Sequence, residues 1–269
     1  MAPVAPAKAI SGAAFATLLL IALMMGANHV AARLAFNDGV DVATAVVFRS
    51  AITAAVLGVL IAVQRVPLRF TARHKRMLPV IGLLVGVQSL CLYSAVARLP
   101  VALALLAFNT YPIWIAMWSA LFYRKPPEKP LLLAMPVILV GLALALDVFG
   151  AASGLGASGQ WARIGAGVGF ALAAAGTFGL ALVITQNEAS DVDGRVRTAT
   201  TLVVSGVMAL VLVATQGGFR LPSAAIGWGG LAALTFLYGT AFTIMFTVLP
   251  KLGVVGNSAI MNIEPIFAL

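Results

Sequence analysis

Nine apolar runs, each near the length needed to cross a bilayer, constrain this chain more than any other feature. They cover Ser11–Phe36, Val42–Gln64, Met77–Ala97, Val101–Phe122, Leu131–Phe149, Ile164–Thr185, Thr198–Thr215, Ile226–Leu249 and Gly253–Leu269. A hydrocarbon core about 30 Å thick is spanned by about 20 residues of α-helix. Only helices and closed barrels satisfy their backbone there, and the runs lack the period-2 alternation of barrel strands. The expected fold is therefore an all-α polytopic membrane protein. Composition agrees: 62% of the 269 residues are hydrophobic and 9% charged, against about 25% charged in soluble domains. Cys91, the single cysteine, leaves no disulfide framework and no cysteine-based metal site.

The net charge of +9 acquires a meaning once it is laid along the runs. With the N-terminus in the cytoplasm, the inner segments hold Lys8, Arg65, Arg69, Arg73, Lys75, Arg76, Arg124, Lys125, Lys129, Arg195, Arg197 and Lys251. The outer segments hold only Arg33, Arg98, Arg163 and Arg220. Twelve cations against four set the N-terminus inside by the positive-inside rule. No basic stretch is interleaved with stacking aromatics, so nucleic acid is not an expected partner; the lipid bilayer is. Lys8 before an apolar stretch resembles a signal peptide, but that run is long, has no clear cleavage site and recurs later, so it reads as the first span.

The recurrence lies at an offset of 153 residues: Gly26 with Gly179, Val30 with Val183, Gly86 with Gly239, Asn109 with Asn262, and Pro112-Ile113 with Pro265-Ile266. The second span fits this offset poorly. A unit of five spans is odd, so its second copy enters the membrane from the opposite side, an arrangement common among secondary transporters. The expectation is two inverted five-helix repeats, 1–150 and 164–269, joined by a Gly-rich linker at 151–163. Ten helices are expected and about nine are present, because the first unit, Ser11–Phe149, maps onto 164–302 and counterparts of Met117–Phe149 lie beyond Leu269.

At this point the chain resembles the drug/metabolite transporter superfamily, in particular its EamA-type ten-helix members. Met25–Phe36 (MGANHVAARLAF) is similar to that group's first helix, where Trp often stands in place of Met25. Val46–Leu60 (VVFRSAITAAVLGVL) resembles its second helix. Leu92–Met117 and Val248–Leu269 resemble the third-to-fourth and eighth-to-ninth helix junctions. Where the group's fourth helix often ends in Gly-Glu, this chain has Phe122-Tyr123-Arg124-Lys125-Pro126, with Glu128 a weak substitute. The resemblance implies a bacterial inner-membrane transporter, and it favours export of a small polar metabolite such as an amino acid.

Charged groups inside a span cost on the order of 3 kcal/mol and are functional candidates by default. Glu264, eleven residues after Gly253, falls about 16 Å along its run at 1.5 Å per residue. A carboxyl group taken out of water favours its neutral form, which suits proton coupling or capture of a substrate ammonium; packing against another helix is the bland alternative. Arg49, roughly 10 Å into the second run, could hold a carboxylate or phosphate through two parallel bonds, pair with Glu264, or snorkel to the outer interface. Pro112 and Pro265 each remove a helical hydrogen bond, and Asn109 and Asn262 lie beside them, so a cavity at paired helix breaks is expected. Asn28, His29, Tyr111, Asn257 and Trp114 complete the candidate set; for His29 the commoner role is hydrogen-bonded glue, and for Trp114 with Trp118 it is packing. Gly82 and Gly86 form a small-xxx-small pair for close helix approach.

No nucleophile–base constellation and no metal-ligand spacing survive inspection, so neither an enzyme nor a cofactor is expected. Glu188, Asp191 and Asp193 are the only acids that a lipid-linked enzyme could use, and they read as a solvated turn. A non-transporting membrane sensor or subunit is the alternative function. The expected partners are a small-molecule substrate and protons, and a homodimer is one assembly open to such a chain.

Overall fold

A computed structural model describes residues 11–125, 129–248 and 259–268. Among the described residues the regular structure is helical, with no strand. The helices are α1 (Gly12–Asn37), α2 (Val42–Val63), α3 (Ala72–Val96), α4 (Val101–Phe108), α5 (Tyr111–Tyr123), α6 (Lys129–Ala145), α7 (Gly156–Glu188), α8 (Gly194–Thr215) and α9 (Ala225–Thr247), followed by a 3₁₀ segment, Ala259–Ala268. Among the described residues, seven spans are long and apolar enough to cross a membrane, with α4 and α5 together counting as one. Below, the near face is the end of the bundle where α1 begins, and the far face is where it ends.

Caps place the boundaries where apolar runs do not. Asp41 starts α2 by accepting from the Thr44 N–H, and Thr71 with His74 forms a reciprocal capping box at α3. That box carries α3 five residues ahead of its apolar run. At α7 the helix begins at Gly156, so eight residues expected in a Gly-rich linker extend the helix instead. The linker's turn is confined to 146–155, where Gly150 and Gly154 take positive φ.

The fourth span is broken rather than kinked. α4 ends at Phe108, and α5 starts at Tyr111 with Pro112 in its first turn. A proline there needs no N–H and its φ is already helical, so Pro112 starts the second helix of the broken span. Thr110 covers part of the break by donating its Oγ1 to the Ala107 carbonyl at 2.8 Å. The ninth run, expected as an α-helix, is a 3₁₀ segment in its described part. Pro265 within it cannot donate to an i→i−4 bond.

Packing follows a two-fold pattern. α1 packs on α9 as α7 packs on α3; α2 packs on α8; α2 meets α9 as α8 meets α3; and α1 lies on the 3₁₀ segment as α7 lies on α5. Close approaches repeat at the residue level. A Cβ at Gly26 would lie 3.1 Å from Cβ of Phe267, and one at Gly179 would lie 2.9 Å from Cβ of Trp114; each pair is related by 153. Likewise Gly86 abuts Ser205 and Gly239 abuts Thr53. Here α3 and α9 keep the offset of 153, whereas α2 and α8 run at 152, with Asp41 and Asp193 as corresponding N-caps. A one-residue slip is thus the reason the second span fits the sequence offset poorly. Gly82 and Gly86 both face α8, where Ser205 donates to the Gly82 carbonyl at 3.0 Å.

Candidate functional site

Four α-helices and the 3₁₀ segment bring one polar cluster into the apolar bundle, and Tyr93 of α3 is its hub. Tyr93 is fully buried. Its hydroxyl donates to Asn28 Oδ1 of α1 at 3.1 Å, the His29 ring stands edge-on to it at 5.5 Å, and the Arg49 guanidinium lies over its ring at 4.9 Å. Asn28 and His29 face the bundle because α1 turns its buried stripe, which includes Ala31, Ala32 and Ala35, towards α9 and α3.

Arg49 is 4% exposed and does not snorkel. Its guanidinium is sandwiched by Tyr93 and by Tyr238 of α9, 4.0 Å away, and Nη2 donates to Ser89 Oγ at 2.7 Å. No carboxylate pairs with it among the described residues. The expected partner, Glu264, is elsewhere: its Oε1 lies 3.2 Å from His29 Nε2, at ion-pair distance without hydrogen-bond alignment. Tyr93 stands between His29 and Arg49, so the cation and the acid occupy opposite ends of the cluster. His29 thus sets an imidazole ring against the one acid in the 3₁₀ segment.

Among the described residues several buried polar atoms have no hydrogen-bond partner: Asn28 Nδ2, His29 Nδ1, Arg49 Nε, Ser50 Oγ and Thr53 Oγ1. Each such atom costs about 1–3 kcal/mol unless something binds it. Arg49 and Thr53 stand one turn apart on α2 and share a face. A ligand with a carboxylate and several acceptors would satisfy the donors, and the aromatic faces would enclose its apolar part.

The other candidates fall outside this cluster or outside the described residues. Tyr111 and Trp114 pack on α7: Tyr111 meets Phe108 at a tilt and Phe178 edge-on, and Trp114 stacks on Trp118 and covers Gly176 and Gly179. Their register corresponds to that of Glu264 and Phe267 against α1, so the sequence correspondence of Tyr111 with Glu264 describes position, not shared chemistry. Asn109 caps α4. Pro265 sits in the 3₁₀ segment beside Glu264. Asn257 and the Asn262 side chain lie outside the described residues. Tyr93, Tyr238, Ser89, Ser50 and Thr53 are the residues that sequence reasoning missed. The signal available for them was the buried cation itself, which needs faces and acceptors around it.

A second polar assembly ties the near face together. Arg73 at the start of α3 lies 3.6 Å from Glu188, which also accepts from the Tyr123 hydroxyl at 3.0 Å. His74 Nε2 lies 3.0 Å from Asp191, Lys125 donates to Asn187 at 2.7 Å, and Arg195 bonds to Gln64. Of the three acids, Glu188 and Asp191 tie the α7–α8 connection to α3, and Glu188 also to α5, while Asp191 stays 61% exposed in its turn and Asp193 caps α8 and pairs with Arg195. The Asp191 carboxyl is held below its ordinary range, first by its own backbone N–H and then by His74 and Arg73.

Residues 12–146, half of the chain, match the model of the EamA-like transporter family. No curated protein matches the chain.

Proposed function

The chain belongs to the EamA-like transporter family, and from that premise we propose that it is a secondary transporter moving a small carboxylate-bearing metabolite, such as an amino acid, by alternating access. The observation that carries the substrate class is Arg49: a buried guanidinium, clamped by two tyrosine rings and unmatched by any carboxylate among the described residues. A cation buried within a span is costly, and a substrate carboxylate is the partner that would offset that cost.

In this reading Arg49 anchors the carboxylate, and the unpaired donors of Asn28, Ser50 and Thr53 read the rest of the substrate. The His29–Glu264 pair is the coupling element. A proton can pass between the His29 ring and the Glu264 carboxylate, whose facing atoms lie 3.2 Å apart. The two-fold packing of α1–α3 against α7–α9 supports two inverted five-helix halves that exchange roles between outward- and inward-open states. The near-face contacts of Arg73, His74, Glu188 and Asp191 serve as the inner latch, with the N-terminus cytoplasmic. Net movement is export across a bacterial inner membrane.

The test is counterflow of radiolabelled amino acids in proteoliposomes under an imposed pH gradient. The gradient is expected to accelerate flux by wild-type protein, and Glu264→Gln is expected to retain exchange while losing the pH dependence. Full proton-coupled flux in the Glu264→Gln protein would overturn the coupling role.

A further inference from the structure

On the far face, cations are scarce in the sequence, yet three of the four arginines there converge on one corner. Arg33 donates to the carbonyls of Val96 and Leu99 at 2.6 and 3.2 Å, closing the end of α3. Arg98, just beyond, donates to the Ser94 carbonyl at 2.8 Å and lies 4.7 Å over the Phe170 ring. Arg163 comes from the first turns of α7. Arg98 and Arg163 line a cavity of about 350 Å³ between the α3–α4 corner, the end of α6 and the start of α7, with Asp147, Ser153 and Gln160.

The polar groups of this cavity are only partly spent. Asp147 accepts the backbone N–H groups of Ala152 and Ser153 at 3.1 and 2.9 Å, which hold its carboxyl below the ordinary range, the Ser153 contacts leading. Arg163 forms no ion pair among the described residues. Gln160 is 5% exposed; its amide N–H donates to the Leu146 carbonyl at 2.8 Å, while its Oε1 has no partner among the described residues. The cavity therefore offers two guanidinium groups for an anion and, beside them, an acceptor in want of a donor. Around it the chain exposes Phe149, Leu155 and Trp161, side chains suited to a membrane–water interface.

We propose that this corner binds a phosphodiester whose second substituent carries an O–H or N–H donor. Guanidinium groups grip a phosphate through paired, charge-assisted bonds, and the neighbouring hydroxyl or ammonium meets Gln160 and Asp147. A glycerol- or ethanolamine-type lipid headgroup and its soluble, deacylated ester share this chemistry. The exposed apolar rim favours the lipid. The site lies away from the Arg49 cluster and does not rest on the transport reading.

The experiment is native mass spectrometry of the detergent-purified full chain with added phosphatidylethanolamine, phosphatidylglycerol, phosphatidylcholine or diacylglycerol. Wild type is expected to retain the first two, to hold phosphatidylcholine more weakly because its headgroup lacks a donor, and to release diacylglycerol. Arg163→Gln is expected to lose roughly tenfold or more in retention, with Arg163→Lys between the two. Its unliganded melting temperature should be unchanged, which separates lost binding from lost fold. Soluble glycerophosphoethanolamine that competes at equal concentration would assign the site to the free ester, with the chemistry intact. Equal retention of all four lipids, or wild-type retention by both Arg163 variants, would overturn the proposal.

Discussion

If Arg49 anchors the substrate, its charge should matter far more to transport than to folding, and Arg49→Met separates the two. The guanidinium makes one charge-assisted hydrogen bond, to Ser89 at 2.7 Å, and two contacts with tyrosine faces at 4.0 and 4.9 Å. Desolvated cation–π contacts contribute about 2 kcal/mol each, and a charged hydrogen bond contributes about 1.5–3 kcal/mol. Against them stands a burial penalty of several kcal/mol for the ion. The two sides nearly cancel. Methionine fills much the same space without a charge, and Ser89 keeps its contact with Gln88 Oε1 at 3.4 Å. The expected loss of stability is at most about 2 kcal/mol, since apolar replacement of a buried ion is often close to neutral.

Transport should respond on another scale. Loss of a guanidinium–carboxylate contact worth about 3 kcal/mol corresponds to about a 100-fold rise in substrate KM. Arg49→Lys keeps the charge but not the planar fork and should fall near tenfold. Counterflow in proteoliposomes reads transport, and thermal unfolding in detergent reads the fold. Two outcomes would refute the reasoning. Wild-type flux in Arg49→Met would remove Arg49 from the substrate site. Flux falling only in step with melting temperature would make the guanidinium a structural clamp.

Three further predictions follow from the packing and the two faces. Gly179→Ala places a Cβ 2.9 Å from Trp114 Cβ and 3.1 Å from the Ile115 nitrogen, so α5 and α7 must part at a cost of about 1–3 kcal/mol; an unchanged melting temperature would contradict the packing. Asp38 accepts from the Ala224 N–H at 2.8 Å and the Ser223 hydroxyl at 2.9 Å, and these bonds, the backbone one foremost, lower its carboxyl below the ordinary 3.8. A depressed carboxyl contributes stability above its unfolded value and loses it as pH falls through the folded one. The melting difference between wild type and Asp38→Asn should therefore be present at pH 7 and shrink below the ordinary carboxylate range, and an equal difference at both pH values would disprove the linkage. At the near face, exposed pairs contribute about 0.2–1 kcal/mol each, so Glu188→Gln with Asp191→Asn should raise hydrogen exchange across residues 189–193 a few-fold; unchanged exchange would show that these contacts do not close the latch.

How far the molecule was legible in its sequence depended on the range of the interaction. Spans are set by run length, and α1, α2 and α8 end within a few residues of their apolar runs. Caps are local too, but the Thr71–His74 box extends α3 through polar residues that a hydropathy reading assigns to a loop. Arg49, His29 and Glu264 were visible as polar or ionisable groups in spans, because their burial cost can be read one residue at a time. Their partners were not. That Glu264 meets His29 rather than Arg49, and that Tyr238 of α9 reaches a cation on α2, depends on which helices pack. Tyrosine carries no sign of such a role, since its apolar body suits any buried face. Similarly, the one-residue slip between α2 and α8 is invisible to a fixed offset.

The slip sharpens a contrast between frame and chemistry. With α2 and α8 at 152 and the other helices at 153, Arg49 corresponds to Thr201, His29 to Leu182, Tyr93 to Phe246 and Glu264 to Tyr111. Helix packing repeats while the polar cluster does not. On the inverted-repeat reading, a symmetric frame supplies two conformations of similar packing energy, because exchanging the halves restores the same contacts. A polar set confined to one register breaks that degeneracy, since Arg49 and the His29–Glu264 pair meet different surroundings in the two states. A ligand or proton shifts an equilibrium only through such a difference. Removing the asymmetric charge with Arg49→Met should therefore weaken the bias between the two states, and an unchanged bias would contradict the reading.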